Sequence, residues 1–175
     1  MKKCLIIVDY QNDFVSGALG FPEAAALEGA IADKIARYRS NGDAVAFTFD
    51  THDGDYMETQ EGRHLPVPHC LRNTDGHALY GKIADLRGET DRCFLKNTFG
   101  SSGLYEYLKA QTFESIELAG VVSNICVISN AVLAKTAQPE TPVIVDARCV
   151  ASNDSTLNTA ALNVMASLQI TVING

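Results

Sequence analysis

The chain has no tryptophan, no CxxC pair, no long basic run and no apolar stretch approaching the roughly 20 residues that a membrane-spanning helix needs. Each absence excludes something. The five cysteines (Cys4, Cys70, Cys93, Cys126 and Cys149) are odd in number and scattered, so neither a disulfide framework nor a dithiol redox pair is expected. Reduced thiols in a cytoplasmic setting follow. A net charge of −7 argues against nucleic acid or an anionic membrane surface as a partner and fits a small-molecule substrate. The opening run Cys4-Leu5-Ile6-Ile7-Val8 is too short for the core of a secretory signal, and Asp9 ends it. What remains is ordinary for a globular protein, with 46% apolar and 20% charged residues. No linker, internal repeat or low-complexity segment divides residues 1–175, which read as one domain.

Short apolar runs alternate with segments of helical spacing. Strands are expected at Leu5 to Val8, Ala44 to Phe49, Cys93 to Leu95, Ser115 to Gly120, Pro142 to Val145 and Ile170 to Ile173. Helices are expected at Pro22 to Ser40, His77 to Leu86, Leu104 to Ala110, Val127 to Ala137 and Asp154 to Leu168. Continuous apolar strands between helices indicate an α/β fold whose parallel sheet is covered on both faces. A long irregular stretch from Asp50 to about Gly76 holds three of the four histidines, and loops of that length are usually functional.

In such folds ligands bind at the carboxyl ends of the strands. Asp9 ends the first strand, Asp50 and His52 follow the second, Lys96 ends the third and Cys126 follows the fourth. A lone cysteine at a helix start is ordinarily packing. Here the junction offers free backbone N–H groups and the positive end of a helix dipole, which favours a thiolate nucleophile and holds an oxyanion. Asp50-Thr51-His52 places a carboxylate and an imidazole on one side of an extended chain, and His69 follows. One carboxylate, two imidazoles and open positions suit a divalent metal; zinc leads, with iron or manganese as alternatives.

Three motifs in register resemble the isochorismatase-like cysteine hydrolases, the group that contains the nicotinamidases. They are Ile7-Val8-Asp9-Tyr10-Gln11-Asn12-Asp13-Phe14, Phe94-Leu95-Lys96-Asn97-Thr98-Phe99-Gly100-Ser101 and Gly120-Val121-Val122-Ser123-Asn124-Ile125-Cys126-Val127. The resemblance runs through essentially the whole chain. It implies a three-layer α/β/α sandwich with a six-stranded, mainly parallel sheet, and a homo-oligomer. It implies a catalytic Asp9, Lys96 and Cys126, in which Lys96 lowers the thiol pKa. It also implies a cis bond between Val121 and Val122, and an oxyanion hole from the N–H groups of Val122 and Cys126. Phe14 and Val121 are assigned to substrate binding, and Asp13 to structural hydrogen bonding. The metal set Asp50, His52 and His69 is similar to that of the nicotinamidase/pyrazinamidase branch. Glu61 is a candidate further ligand, and Cys70 is set aside because consecutive residues rarely both point inward.

One departure stands out. Pro66 occupies the position, three before His69, where that branch usually carries an aromatic stacked on the substrate ring, so Phe14 or Tyr56 must take over. The implied reaction is cleavage of a small amide through a thioester, with nicotinamide to nicotinate plus ammonia foremost. The alternatives are a metal-free hydrolase of a vinyl ether, ureido or carbamoyl bond, and a non-catalytic metabolite-binding member.

Overall fold

The computed structural model describes residues 1–175. Its apolar runs become strands because both faces of each are covered. In β1 (Cys4–Val8) every residue is buried. Leu5 and Ile7 pack to one side, and Cys4, Ile6 and Val8 to the other. With β2 (Ala44–Asp50), β3 (Arg92–Lys96), β4 (Ile116–Val121), β5 (Val143–Ala151) and β6 (Thr171–Ile173) it forms a sheet in the order β3-β2-β1-β4-β5-β6. All neighbouring strands are parallel. The six-stranded α/β architecture is therefore the one expected. No helix is long and apolar enough to cross a membrane.

The short helices α1 (Asn12–Val15), α2 (Pro22–Ala26), α4 (Gln60–His64) and α5 (Gly81–Leu86) accompany four longer ones: α3 (Glu28–Ser40), α6 (Ser102–Lys109), α7 (Ile128–Ala137) and α8 (Ser155–Ser167). Ile31, Ile35 and Tyr38 of α3 and Ile83 of α5 fill one side of the sheet. Leu104 and Leu108 of α6, Ala131 and Ala134 of α7 and Met165 of α8 fill the other. The chain order reverses between β1 and β4, which puts a topological switch point at their carboxyl ends. There Gly120, with φ +120°, pairs with Val8, and a Cβ would strike the Val8 backbone. Glycine is required for the two strands to meet at that point.

Several boundaries differ from the sequence expectation, each for a local reason. The helix expected from Pro22 to Ser40 breaks at Leu27, where the Ala24 carbonyl accepts from the Tyr10 hydroxyl at 2.6 Å. The helix expected from His77 gives way to extended chain and starts at Gly81, whose φ is +49°. The helix expected from Val127 starts at Ile128 as α7 and is preceded by a π turn over Ser123–Val127. β5 runs to Ala151, six residues past the expected Val145, with a register shift against β4 between Leu118 and Gly120.

The polar residues that made β5 look short are neutralised inside. Lys34 of α3 lies 2.5 Å from Glu117 and 3.0 Å from Asp146, with all three side chains buried. Burial pushes the Lys34 pKa down, but the bonds to Glu117 and Asp146 more than offset it and leave it raised. Burial pushes Asp146 up, yet bonds from Arg148 and Lys34 hold it well below the usual carboxylate range. The lowered acid contributes stability that is present above its ordinary value of 3.8 and is lost as pH falls through its folded value. The raised base contributes stability that is complete below 10.5 and is lost as pH rises through its folded value. Lys34→Met is expected to cost about 3 kcal/mol in urea unfolding between about pH 5 and 10, with the deficit narrowing toward acid as the carboxylates protonate and toward alkali only above 10.5. A deficit that stays constant from pH 2 to 12 would contradict this ion cluster (roughly the range over which its groups titrate).

Candidate active site

The end of β1 turns sharply. Asp9 adopts a left-handed conformation with φ 46°, uncommon for a residue with a Cβ and a mark of functional sites. Its Oδ1 accepts from the Thr48 hydroxyl of β2 at 2.6 Å, which orients the carboxylate. Its Oδ2 lies 2.7 Å from Lys96 Nζ as a close ion pair without the alignment of a hydrogen bond. Lys96 Nζ also donates to Asp50 Oδ1 at 3.1 Å and to Cys126 Sγ at 3.5 Å. One ammonium thus faces all three groups, and β2–β3 register makes this possible because Asp50 and Lys96 are paired residues.

Lys96 pulls the Cys126 pKa down as expected, but the net shift is upward. Burial, then the charge of Asp9, push Cys126 well above an ordinary thiol, and Lys96 opposes them without prevailing. Burial also raises Asp9, with Lys96 pulling the other way. Burial lowers Lys96, but Asp9 and Cys126 more than compensate and keep it cationic. Burial thus opposes a lone thiolate, and Asp9, which shares the Lys96 ammonium with Cys126, is the group placed to exchange the thiol proton.

Cys126 is held by Asn130, a residue that the sequence reading missed. The Asn130 amide donates to the Cys126 carbonyl at 2.8 Å and to the Phe99 carbonyl at 3.1 Å, while its oxygen accepts from Ser101 N–H at 2.9 Å. The π turn is thereby tied to the loop after β3. The Val121–Val122 bond is cis, and the N–H of Val122 donates to no backbone carbonyl. Two residues on from Asp9, Gln11 acts as a strand rung. Its amide donates to the Asp50 carbonyl at 2.9 Å, and its oxygen accepts from Asp50 N–H at 2.8 Å.

Asp50 joins this group to a second one. Its Oδ2 lies 3.0 Å from His52 Nε2 and 3.3 Å from His69 Nε2. Glu61 Oε1 closes the set at 3.7 and 3.8 Å from the same two nitrogens. One donor atom from each of the four residues lies within 4.8 Å of every other. Two imidazole nitrogens and two carboxylates in that space fit a divalent cation. The Val67 carbonyl, 2.8 Å from His69 Nδ1, fixes that ring so that Nε2 faces the set. Glu61 is thus brought in, whereas Cys70 turns into the core. Burial raises the Asp50 carboxyl, but bonds from His52 and His69 and the Lys96 charge hold it well below the usual range. Burial, then the Asp50 charge, raise Glu61.

A family model, the Isochorismatase domain, matches residues 3–175. The chain belongs to the isochorismatase family. It is 35% identical to the isochorismatase family protein PncA of Bacillus subtilis (strain 168), an alignment covering 75% of this chain and 78% of that one. It is 29% identical to the nicotinamidase/pyrazinamidase of Mycobacterium tuberculosis, over 98% of each chain. The solved structure of nicotinamidase/pyrazinamidase PncA from Bacillus subtilis superposes with a TM-score of 0.87 at 31% identity, over 98% of this chain and 99% of that one.

Within this isochorismatase fold a cavity of about 400 Å³ opens onto Cys126, Asp50, Glu61 and His69. Phe14 and Val122 line it. Val121 does not: as the last residue of β4 its side chain is fully buried in the core, which corrects its assignment to substrate binding. Tyr56 is not a replacement for the aromatic lost at Pro66. It is 1% exposed and packs edge-on behind His52 and His69, at 4.7 and 5.0 Å between ring centroids. Leu65 faces the cavity beside Phe14, and Leu19, Phe21, Phe99 and Ile125 complete an apolar wall that the sequence reading did not name. No lysine or arginine lines it.

Proposed function

We propose that this chain is a cysteine amidase that cleaves a small neutral amide through a thioester on Cys126, with nicotinamide to nicotinate plus ammonia as its leading reaction. The single observation that carries the reading is Lys96, whose ammonium touches Asp9, Cys126 and Asp50 and so joins a nucleophile to a metal-donor set in one cavity. The relatives named nicotinamidase support the choice of substrate. An anionic substrate would find no fixed cationic side chain in the lining, which disfavours acidic ureido or vinyl ether compounds.

In this proposal Asp9 takes the Cys126 proton as the sulfur attacks the amide carbonyl, so the thiol never has to ionise alone in a buried site. Lys96 stabilises the charge passing between them. The N–H groups of Val122 and Cys126 receive the oxyanion, and Asp9 returns the proton to the departing ammonia. Water then cleaves the thioester with Asp9 as base. Phe14 and the apolar wall exclude bulk water and hold the body of the substrate. Asp50, His52, Glu61 and His69 would hold a divalent cation, zinc foremost, which supplies a Lewis acid at the floor of the cavity.

Ammonia release from nicotinamide tests the reading. Chelation is expected to lower turnover by at least about tenfold, and zinc, iron or manganese to restore it. Absence of turnover with any of the three metals would overturn the nicotinamidase assignment.

A further inference from the structure

The metal-donor set stands between two cavities. The apolar one described above holds Cys126 and is reached by Asp50, Glu61 and His69. A second cavity of about 480 Å³ adjoins it, here called the rear cavity, and its lining includes His52 and Glu61 together with Asp53, Asp55, Gln60 and Asn97. Glu61 and Phe99 line both, so these two side chains form the partition. His52 is seen only from the rear and His69 only from the front.

The walls differ in chemistry. Nine of the fourteen residues around the front cavity are hydrophobic, against two of eleven around the rear one. A divalent cation arrives with its hydration shell, and an apolar passage strips that shell without replacing it. The rear cavity offers carboxylate, amide and hydroxyl oxygens along the way. Asp53 is paired with Arg72 at 3.0 Å, which leaves Asp55 as the acid free to attract a cation. Substrate, moreover, occupies the front cavity and would block that path.

We infer that the rear cavity is the port through which the metal reaches its site, separate from the entrance used by substrate. This rests on the metal reading of the donor set but not on the identity of the amide. Access from the rear lets the cation load and exchange while the front is filled.

Stopped-flow mixing of chelator-stripped protein with Co²⁺, followed by cobalt absorption, tests the port without measuring activity. Equilibrium dialysis and a thermal melt accompany each variant. Gln60→Trp, which plugs the rear cavity, is expected to slow association about tenfold or more while leaving the bound stoichiometry unchanged. Leu19→Trp, which fills the front cavity, is expected to leave the rate within about twofold. Asp55→Asn, a milder change, is expected to slow association about threefold at low salt, with the difference vanishing at high salt. Slowing by Leu19→Trp with no effect of the rear variants would overturn the port while leaving the metal site standing. No bound cobalt at equilibrium in the wild-type chain would overturn both.

Discussion

Cys126→Ala is expected to lower turnover by about 10⁴-fold or more, because removing a nucleophile leaves only binding and oxyanion contacts to act on the amide. The side chain is small and the site pre-built, so the loss of stability is expected to stay near about 1 kcal/mol. Separating the two effects matters, since Cys126 is also a member of a core cluster. Steady-state ammonia release and urea unfolding of the same preparation provide that separation. A folded Cys126→Ala protein with more than about 1% of wild-type turnover would remove the thiol from the mechanism.

Lys96→Met is expected to damage both activity and folding. The Lys96 side chain is 2% exposed, and its ammonium lies between Asp9 and Asp50, themselves buried. Its removal leaves the buried Asp9 carboxylate without its cation and close to the charge of Asp50, a loss of about 3–5 kcal/mol for metal-free protein at neutral pH. The pH dependence identifies the cause. Without Lys96 the folded chain binds a proton on Asp9 more tightly than the unfolded chain does, because burial raises that carboxyl and Lys96 is the main charge that opposes it, whereas His52 and His69 still bond to Asp50. Stability then rises as pH falls, so the deficit relative to wild type shrinks toward acid. Lysine packing alone would give a deficit independent of pH. Unfolding curves of chelated wild type and variant between about pH 4 and 8 distinguish the two.

The sequence made the sheet and the edge that bears the site legible, because β1 and β4 are uninterrupted apolar runs and Asp9, Asp50, Lys96 and Cys126 close or follow strands. Strand ends converge in a parallel sheet whatever the helices do. The full length of β5 was hidden because Asp146 looks like a terminator until Lys34, 112 residues earlier in the chain, is seen to neutralise it. The apolar wall was hidden because Leu19, Phe21, Phe99 and Ile125 carry no signal that distinguishes a cavity from a core. Asn130 could have been found: a polar residue one helical turn after Cys126, on a face that must be buried, needs internal partners. The sign of the Cys126 pKa shift was misjudged because helix dipole and Lys96 were weighed without the burial that only packing reveals. Val121 was assigned to the substrate wall, but it is fully buried in the core, and it is its neighbour Val122 that lines the cavity.

The most direct test of the account is mass spectrometry of protein quenched in acid during turnover of nicotinamide. The account predicts an acyl adduct on the peptide that carries Cys126, absent from Cys126→Ala and discharged when the quench is delayed. Full turnover with Cys126 unmodified throughout, and equal activity in Cys126→Ala, would contradict it.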